Sequence, residues 1–176
     1  MAIDKRLLVS GLVLASCLVG LLIMFVPPKP VVKFIESKNS GALKFDFPQK
    51  VMINQPFDVT LLMDTAKQNV NAVGVYIAFD PTKIKLLQMD TRASFCQFYP
   101  EKKFDNQLGT VSLACGSPHP GVNGPSTLIM MTFMPTSIGE TDLRLSNKSQ
   151  ILKSDGKGTN IQSTYPSAKL TIVNSL

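Results

Sequence analysis

Apolar and polar side chains alternate along much of the chain, and the alternation defines a series of short segments. They cover residues 43–47, 57–63, 73–79, 84–86, 128–130, 143–145 and 170–172. Because successive side chains of a β-strand point to opposite faces of its sheet, each segment predicts a strand with one apolar face. Turn-forming residues such as Asp80-Pro81 separate the segments. With the hairpin described next, roughly nine strands are expected, and they predict an all-β antiparallel sandwich over residues 41–176.

A hairpin with two cysteines is predicted near the middle of the chain. If Asp105-Asn106 forms a two-residue turn, Cys96 lies opposite Cys115 and Phe98 points inward. This register makes one face of the hairpin wholly apolar, and the hydrophobic pattern is what sets register in a half-buried sheet. Opposed Cβ atoms are about 4.5–5.5 Å apart, near the separation that a disulfide needs. We therefore predict a Cys96–Cys115 disulfide, with two buried free thiols as the alternative.

The N-terminal part of the chain has a different pattern. Residues 7–26 form an uncharged run that follows Lys5-Arg6 and ends at Pro27-Pro28, and its length suits a helix that crosses a hydrocarbon core. We predict a transmembrane signal anchor over residues 7–26, with residues 1–6 in the cytoplasm and residues 41–176 outside it. Residues 27–40 are rich in proline and lysine and are predicted to form a stalk. The expected localisation is the cell membrane, with a single pass.

Two alternatives to a retained anchor stay open. Residues 14–17 resemble a bacterial lipobox, in which Cys17 becomes the lipidated first residue of the mature chain. The other alternative is a secretory signal that is removed altogether. All three interpretations place the domain outside the cytoplasm, where disulfides form and persist.

Composition and charge argue against several classes of function. The net charge is +6, but the lysines are spread along the chain, so we expect no nucleic-acid partner. The single histidine, His119, lies between two prolines and is interpreted as an ordinary loop residue. No spacing of cysteine, histidine and carboxylate residues indicates a metal site, and residues 155–160 are interpreted as a tight turn rather than a calcium loop. We expect no enzymatic activity, metal or cofactor.

Several motifs occur in a characteristic order between residues 43 and 173. They are the run 55–61, the strand 71–79 that closes on Asp80-Pro81, the aliphatic strand 84–87, the strands 126–133 and 138–145, the Asp155-Gly156 turn and the final strand 168–173. This order resembles that of cohesin domains. The resemblance implies a nine-stranded jelly-roll sandwich and the binding of a dockerin-like protein module.

In cohesins the partner lies against the sheet that contains the Asp-Pro strand and the central hairpin. On this chain the resemblance implies the following outward-facing, partner-binding residues: Ala72, Gly74, Tyr76, Ala78, Gln97, Tyr99, Ser112 and Ala114. Tyr76 and Tyr99 are the expected anchors, because tyrosine is enriched in binding hot spots.

Three functions are therefore considered for the exported domain. The first is a membrane-anchored adaptor or scaffold module that binds a protein. The second is a carbohydrate-binding module at the cell envelope, although the chain has no tryptophan and only three tyrosines for stacking on sugar rings. The third is a purely structural envelope domain, since one sandwich fold serves many functions.

Overall fold

The computed structural model describes residues 40–175, which form two β-sheets packed face to face. The expected cytoplasmic segment 1–6, membrane anchor 7–26 and nearly all of the stalk 27–40 lie outside the described residues. Within residues 40–175 the chain contains no helix with the length and apolar character that crossing a membrane requires. The prediction of an all-β sandwich is confirmed for this part of the chain.

Eleven strands make up the described region. In chain order they are β1 (Ala42–Asp46), β2 (Lys50–Met52), β3 (Phe57–Asp64), β4 (Val70–Phe79), β5 (Ile84–Asp90), β6 (Phe98–Asp105), β7 (Thr110–Gly116), β8 (Pro125–Pro135), β9 (Gly139–Leu145), β10 (Gln150–Lys153) and β11 (Ser167–Val173). The sequence predicts nine, and the two further strands are β2 and β10. They have only three and four residues, so alternation within them is too brief to be recognised.

The smaller sheet has the order β1-β3-β8-β5, and the larger sheet has the order β2-β11-β9-β4-β7-β6. The strands pair antiparallel except β2 and β11, which pair in parallel. Alternate side chains of both sheets meet between them, and Val59, Leu61 and Met63 of β3 are fully buried. Phe133 of β8 is also fully buried, with its ring centroid 5.9 Å from that of Phe57 and 5.4 Å from that of Phe79. The core therefore forms where the period-two pattern predicts it.

Strand β4 lies inside the larger sheet and is paired along both edges. One edge pairs with β7, and the other pairs first with β10 and then with β9. The segment between β9 and β10 is not part of the sheet, and Ser146 and Ser149 in this segment form hydrogen bonds with the backbone N–H and carbonyl groups of Tyr76. The Ser146 N–H donates to the Tyr76 carbonyl (2.8 Å), and the Ser149 Oγ accepts from the Tyr76 N–H (3.0 Å). The backbone of β4 is thus hydrogen-bonded along both edges.

The cysteine pairing is as predicted, but the register of the hairpin is not. Cys96 and Cys115 form a disulfide with a Cα–Cα distance of 5.7 Å. The predicted two-residue turn at Asp105-Asn106 is wrong, because Asp105 pairs with Thr110 and the loop covers residues 106–109. Local chemistry favours this longer loop: the Asp105 carboxylate accepts from the N–H groups of Gln107 and Leu108 (2.7 and 3.0 Å).

Two contacts outside the hairpin hold the loop in place. Gly109 has a φ of +64°, and a Cβ there would lie 2.1 Å from the Phe79 carbonyl oxygen, so a glycine is required. Asn106 reaches the other sheet, where its Oδ1 accepts from the Leu86 N–H (2.8 Å) and its Nδ2 donates to the Leu86 carbonyl (2.9 Å). Both partners are remote in the chain, which is why the hairpin sequence alone predicts a shorter turn.

Candidate functional site

The outer face of the larger sheet carries a strip of very small side chains. Ala72 and Gly74 of β4 pair directly with Gly116 and Ala114 of β7, and we call these four residues the small-residue strip. Three of them are partly exposed, and Gly116 is buried. A Cβ added to Gly74 would meet nothing nearer than the Tyr76 ring, at 4.0 Å. The strip is therefore open around Gly74, and another molecule placed there would approach the strand backbone closely.

The sequence-predicted residues of β4 and β7 lie on this face. Tyr76 and Ser112 are cross-strand partners and are partly exposed, and the exposed Ala78 follows along β4. On the other side of β4, Gln150 pairs with Gly74 and Leu152 pairs with Ala72. These two residues of β10 border the small-residue strip and were not anticipated, because β10 itself was not predicted.

Phe98 also lies on this face, although the predicted register places it inward. It pairs with Gly116, and a Cβ on Gly116 would be only 2.6 Å from Phe98 Cζ, so the ring covers that glycine. Phe98 is 51% exposed. A β-bulge between Phe98 and Glu101 is the cause, because one extra residue in β6 reverses the faces on either side of it. An aromatic ring laid over a cross-strand glycine is a known way of covering exposed backbone.

Tyr99 and Gln97 do not occupy their predicted places in the hairpin. Tyr99 packs against the edge of the core, and its hydroxyl donates to the Cys96 carbonyl (3.1 Å). The Lys102 Nζ lies 5.8 Å from the centroid of the Tyr99 ring. Gln97 is exposed, precedes β6 and donates its N–H to the Gly116 carbonyl (2.7 Å). The prediction that Tyr99 faces outward beside Ser112 is therefore wrong. The cross-strand partner of Ser112 is Lys103, and Phe98 is an exposed aromatic residue on this face.

Two ion pairs lie on the outer face of the larger sheet, one beside the small-residue strip and one farther along β4. Glu101 and Lys103 of β6 form an ion pair (2.8 Å) that raises the pKa of Lys103. Near Ala78, Arg144 and Asp142 form another (2.6 Å), in which the hydrogen bond to Asp142 raises the pKa of Arg144. Pairs this exposed contribute little to stability. They leave the strip itself uncharged.

A shallow groove of about 460 Å³ continues the face beyond Ala78. The residues that line it include Ala78, Asp80, Glu140, Asp142, Arg144 and Lys169. The Asp80 carboxylate accepts from the hydroxyl and the N–H of Thr82 (2.7 and 2.9 Å), and these bonds lower the pKa of Asp80. That carboxylate thus stabilises the Asp-Pro turn at the end of β4.

The side chains considered for catalysis or metal binding take part in local contacts. His119 Nδ1 lies 2.9 Å from Ser154 Oγ at the surface. Asp155 accepts from Thr159 Oγ1 (2.6 Å) and from the Lys157 N–H (2.9 Å), and these bonds lower its pKa to about 2. Residues 155–160 thus use their carboxylate to close a turn. Across residues 40–175, no group of three or more His, Cys, Asp and Glu side chains is placed to hold a metal ion.

Comparison with known proteins identifies the fold. No protein-family model and no curated protein matches the sequence. Among solved structures, the domain is similar to the cohesin module of a family 33 glycoside hydrolase from Clostridium perfringens, with a TM-score of 0.64 and 14% identity over 76% of this chain and 97% of that one.

Two further solved structures are similar to the domain. CaCohA2 from Clostridium acetobutylicum has a TM-score of 0.63 and 12% identity over 79% of this chain and 94% of its own. The sixth cohesin of scaffoldin B from Acetivibrio cellulolyticus, solved in complex with a mutant Cel5 dockerin, has a TM-score of 0.62 and 10% identity over 76% and 98%. At these identities the likeness establishes a cohesin-like fold.

Proposed function

We propose that this chain is a membrane-anchored adaptor whose extracytoplasmic domain binds a protein module through the outer face of β6, β7, β4 and β10. The observation that carries the proposal is the open, uncharged small-residue strip on that face. One of the similar structures supports it, since the sixth cohesin of scaffoldin B was solved in complex with a dockerin. The anchor rests on the uncharged run at residues 7–26.

The outer face of these four strands is large enough to form the centre of a protein interface. Neighbouring strands lie about 4.8 Å apart and rise about 3.4 Å per residue, so four strands and the stretch Ala72–Ala78 cover about 15 Å by 20 Å. This is roughly 300 Å², less than half of the about 800 Å² that a standard interface buries on each partner, so the face would supply the centre of such an interface and not the whole of it. The small-residue strip would form the apolar centre, and the flanking ion pairs would form a polar rim.

A blocking substitution tests this proposal. Gly74→Arg places a long, charged side chain at the centre of the face, where the structure has space for it, so the domain should fold normally. Thr60→Arg introduces the same side chain on the outer face of the smaller sheet, where Thr60 alternates with buried residues of β3, and serves as the matched control. Tyr76→Ala removes the remaining predicted anchor of this face.

The assay is capture from the envelope and secreted fractions of the producing organism, with the full-length chain as bait and mass spectrometry to identify what binds. We expect the wild-type and Thr60→Arg baits to capture the same protein, and the Gly74→Arg bait to lose it. Retention of that protein by Gly74→Arg would show that binding occurs elsewhere.

The carbohydrate-binding alternative gives a different result in the same assay. Sugar rings stack on flat aromatic side chains, and on this face Tyr76 and Phe98 are the rings that the described residues supply. Capture of polysaccharide in place of protein would favour that alternative. Capture of neither would favour a structural role in the envelope.

A further inference from the structure

The beginning of β6 is weakly attached to its sheet. From Glu101 to Asp105 the strand pairs residue by residue with β7, but beyond the bulge only Phe98 is paired, with Gly116. One backbone hydrogen bond, from Gln97 to Gly116, continues the contact. Because β6 is the outermost strand of the sheet, it has no ladder on its other side. Strand ends held by so few ladder contacts open locally at low cost.

The Cys96–Cys115 disulfide links this end of β6 covalently to β7. Cys96 lies two residues before Phe98, and Cys115 immediately precedes Gly116. Both cysteines are buried, at 8% and 3% exposure, so the bond lies on the core side of the sheet. The Phe98 ring lies on the opposite side, over Gly116. The disulfide therefore restrains the backbone near Phe98 from the core side of the sheet, while the Phe98 ring lies on the outer side.

The position of the ring suits an apolar contact with a partner. Phe98 keeps about half of its surface exposed while it rests against β7 backbone, and the neighbouring strip offers no competing charge. An aromatic side chain that is already held in place loses little freedom on binding, which favours affinity. The paired charges of Glu101 and Lys103 balance each other beside it.

We infer that Phe98 is a specificity-determining contact for a protein partner that presents apolar side chains, and that the Cys96–Cys115 disulfide is what positions it. The inference rests on the proposed function of this face. Partner affinity then depends on the oxidised state of the domain, and the sulfur atoms themselves do not touch the partner.

Phe98→Ala tests the contact, and Phe104→Ala is its matched control. Phe104 lies on the same strand and is also exposed, at 41%, but it pairs with Val111 and lies on the opposite side of β6 from the strip. The probe is the protein that the wild-type bait captures above, purified and titrated against the full-length chain by calorimetry. We expect Phe98→Ala to weaken binding about tenfold or more, as at a hot spot, and Phe104→Ala to change it less than about twofold.

Replacing both cysteines by alanine tests the positioning. We expect this variant to bind about as weakly as Phe98→Ala, and the combined variant to bind no more weakly than either, because the two changes remove one interaction. Hydrogen exchange supplies a readout that needs no partner: the Gln97 amide should exchange about tenfold faster or more without the disulfide, while the Lys103 amide is unchanged.

The results that would contradict the inference can be told apart from those that would contradict the proposed function. If Gly74→Arg abolishes binding and Phe98→Ala leaves it intact, the face binds the partner but Phe98 is not the contact. If the Gln97 amide stays protected in the variant without cysteines, the disulfide does not position Phe98. If Gly74→Arg also binds normally, or no protein is captured, the proposed function itself fails and this inference fails with it.

Discussion

Asn106 is expected to stabilise the domain by forming hydrogen bonds with the outer edge of β5, which has no neighbouring strand. Strand β5 is the last strand of the smaller sheet, so the backbone on its outer edge has no strand partner. The Asn106 side chain supplies both a donor and an acceptor to the backbone of Leu86, at 2.9 and 2.8 Å. Leu86 as a whole is 1% exposed, so water has limited access to these backbone groups. Asn106→Ala removes both bonds together.

The magnitude follows from those two contacts. A net contribution of about 1 kcal/mol for each hydrogen bond gives a loss of about 2 kcal/mol in the free energy of unfolding. For a domain of this size, that corresponds to a fall in Tm of roughly 5–10 °C. Gln107→Ala is the control, because Gln107 is the exposed neighbour in the same loop and its replacement should have little effect.

Urea unfolding of the full-length chain and its two variants measures these differences. We expect a lower midpoint for Asn106→Ala with an unchanged m-value, since the surface exposed on unfolding stays the same. Hydrogen exchange should show faster exchange of the Leu86 amide. Equal unfolding free energies for the Asn106 and Gln107 variants would refute the view that the two hydrogen bonds from Asn106 to the Leu86 backbone stabilise the domain.

Three further predictions concern stability. Replacing Cys96 and Cys115 by alanine should lower the unfolding free energy by about 3 kcal/mol, because the bond closes a loop with a sequence separation of 19; an unchanged urea midpoint would contradict this. Phe133→Ala should lower the free energy of unfolding by about 3–5 kcal/mol, since the ring is fully buried between two others. Urea unfolding measures this loss, and a much smaller loss would show that the core closes around the cavity. The pKa of Asp155 is lowered to about 2, so its hydrogen bonds stabilise the fold above about pH 4 and lose that effect as the pH falls toward 2. An NMR titration of its carboxyl group with a midpoint near the ordinary 3.8 would rule this out.

The sequence by itself predicted nine of the eleven strands of the described region and the identity of the disulfide. Alternation from Phe57 to Met63 and from Val73 to Phe79 predicts β3 and β4, and the structure has both with the expected faces buried. Such predictions succeed because the period of a strand is a property of neighbouring residues. Pairing of Cys96 with Cys115 was also predicted correctly, although through a register that does not occur.

Only the tertiary structure decided the register of the hairpin and the residues it presents. The loop 106–109 is held by backbone of β4 and β5, and the bulge before Glu101 shifts the pairing once more. These two features together place Phe98 outward and Tyr99 at the edge of the core. The physical reason is that register depends on the total energy of contacts between segments distant in sequence, whereas alternation shows only that each segment has two faces.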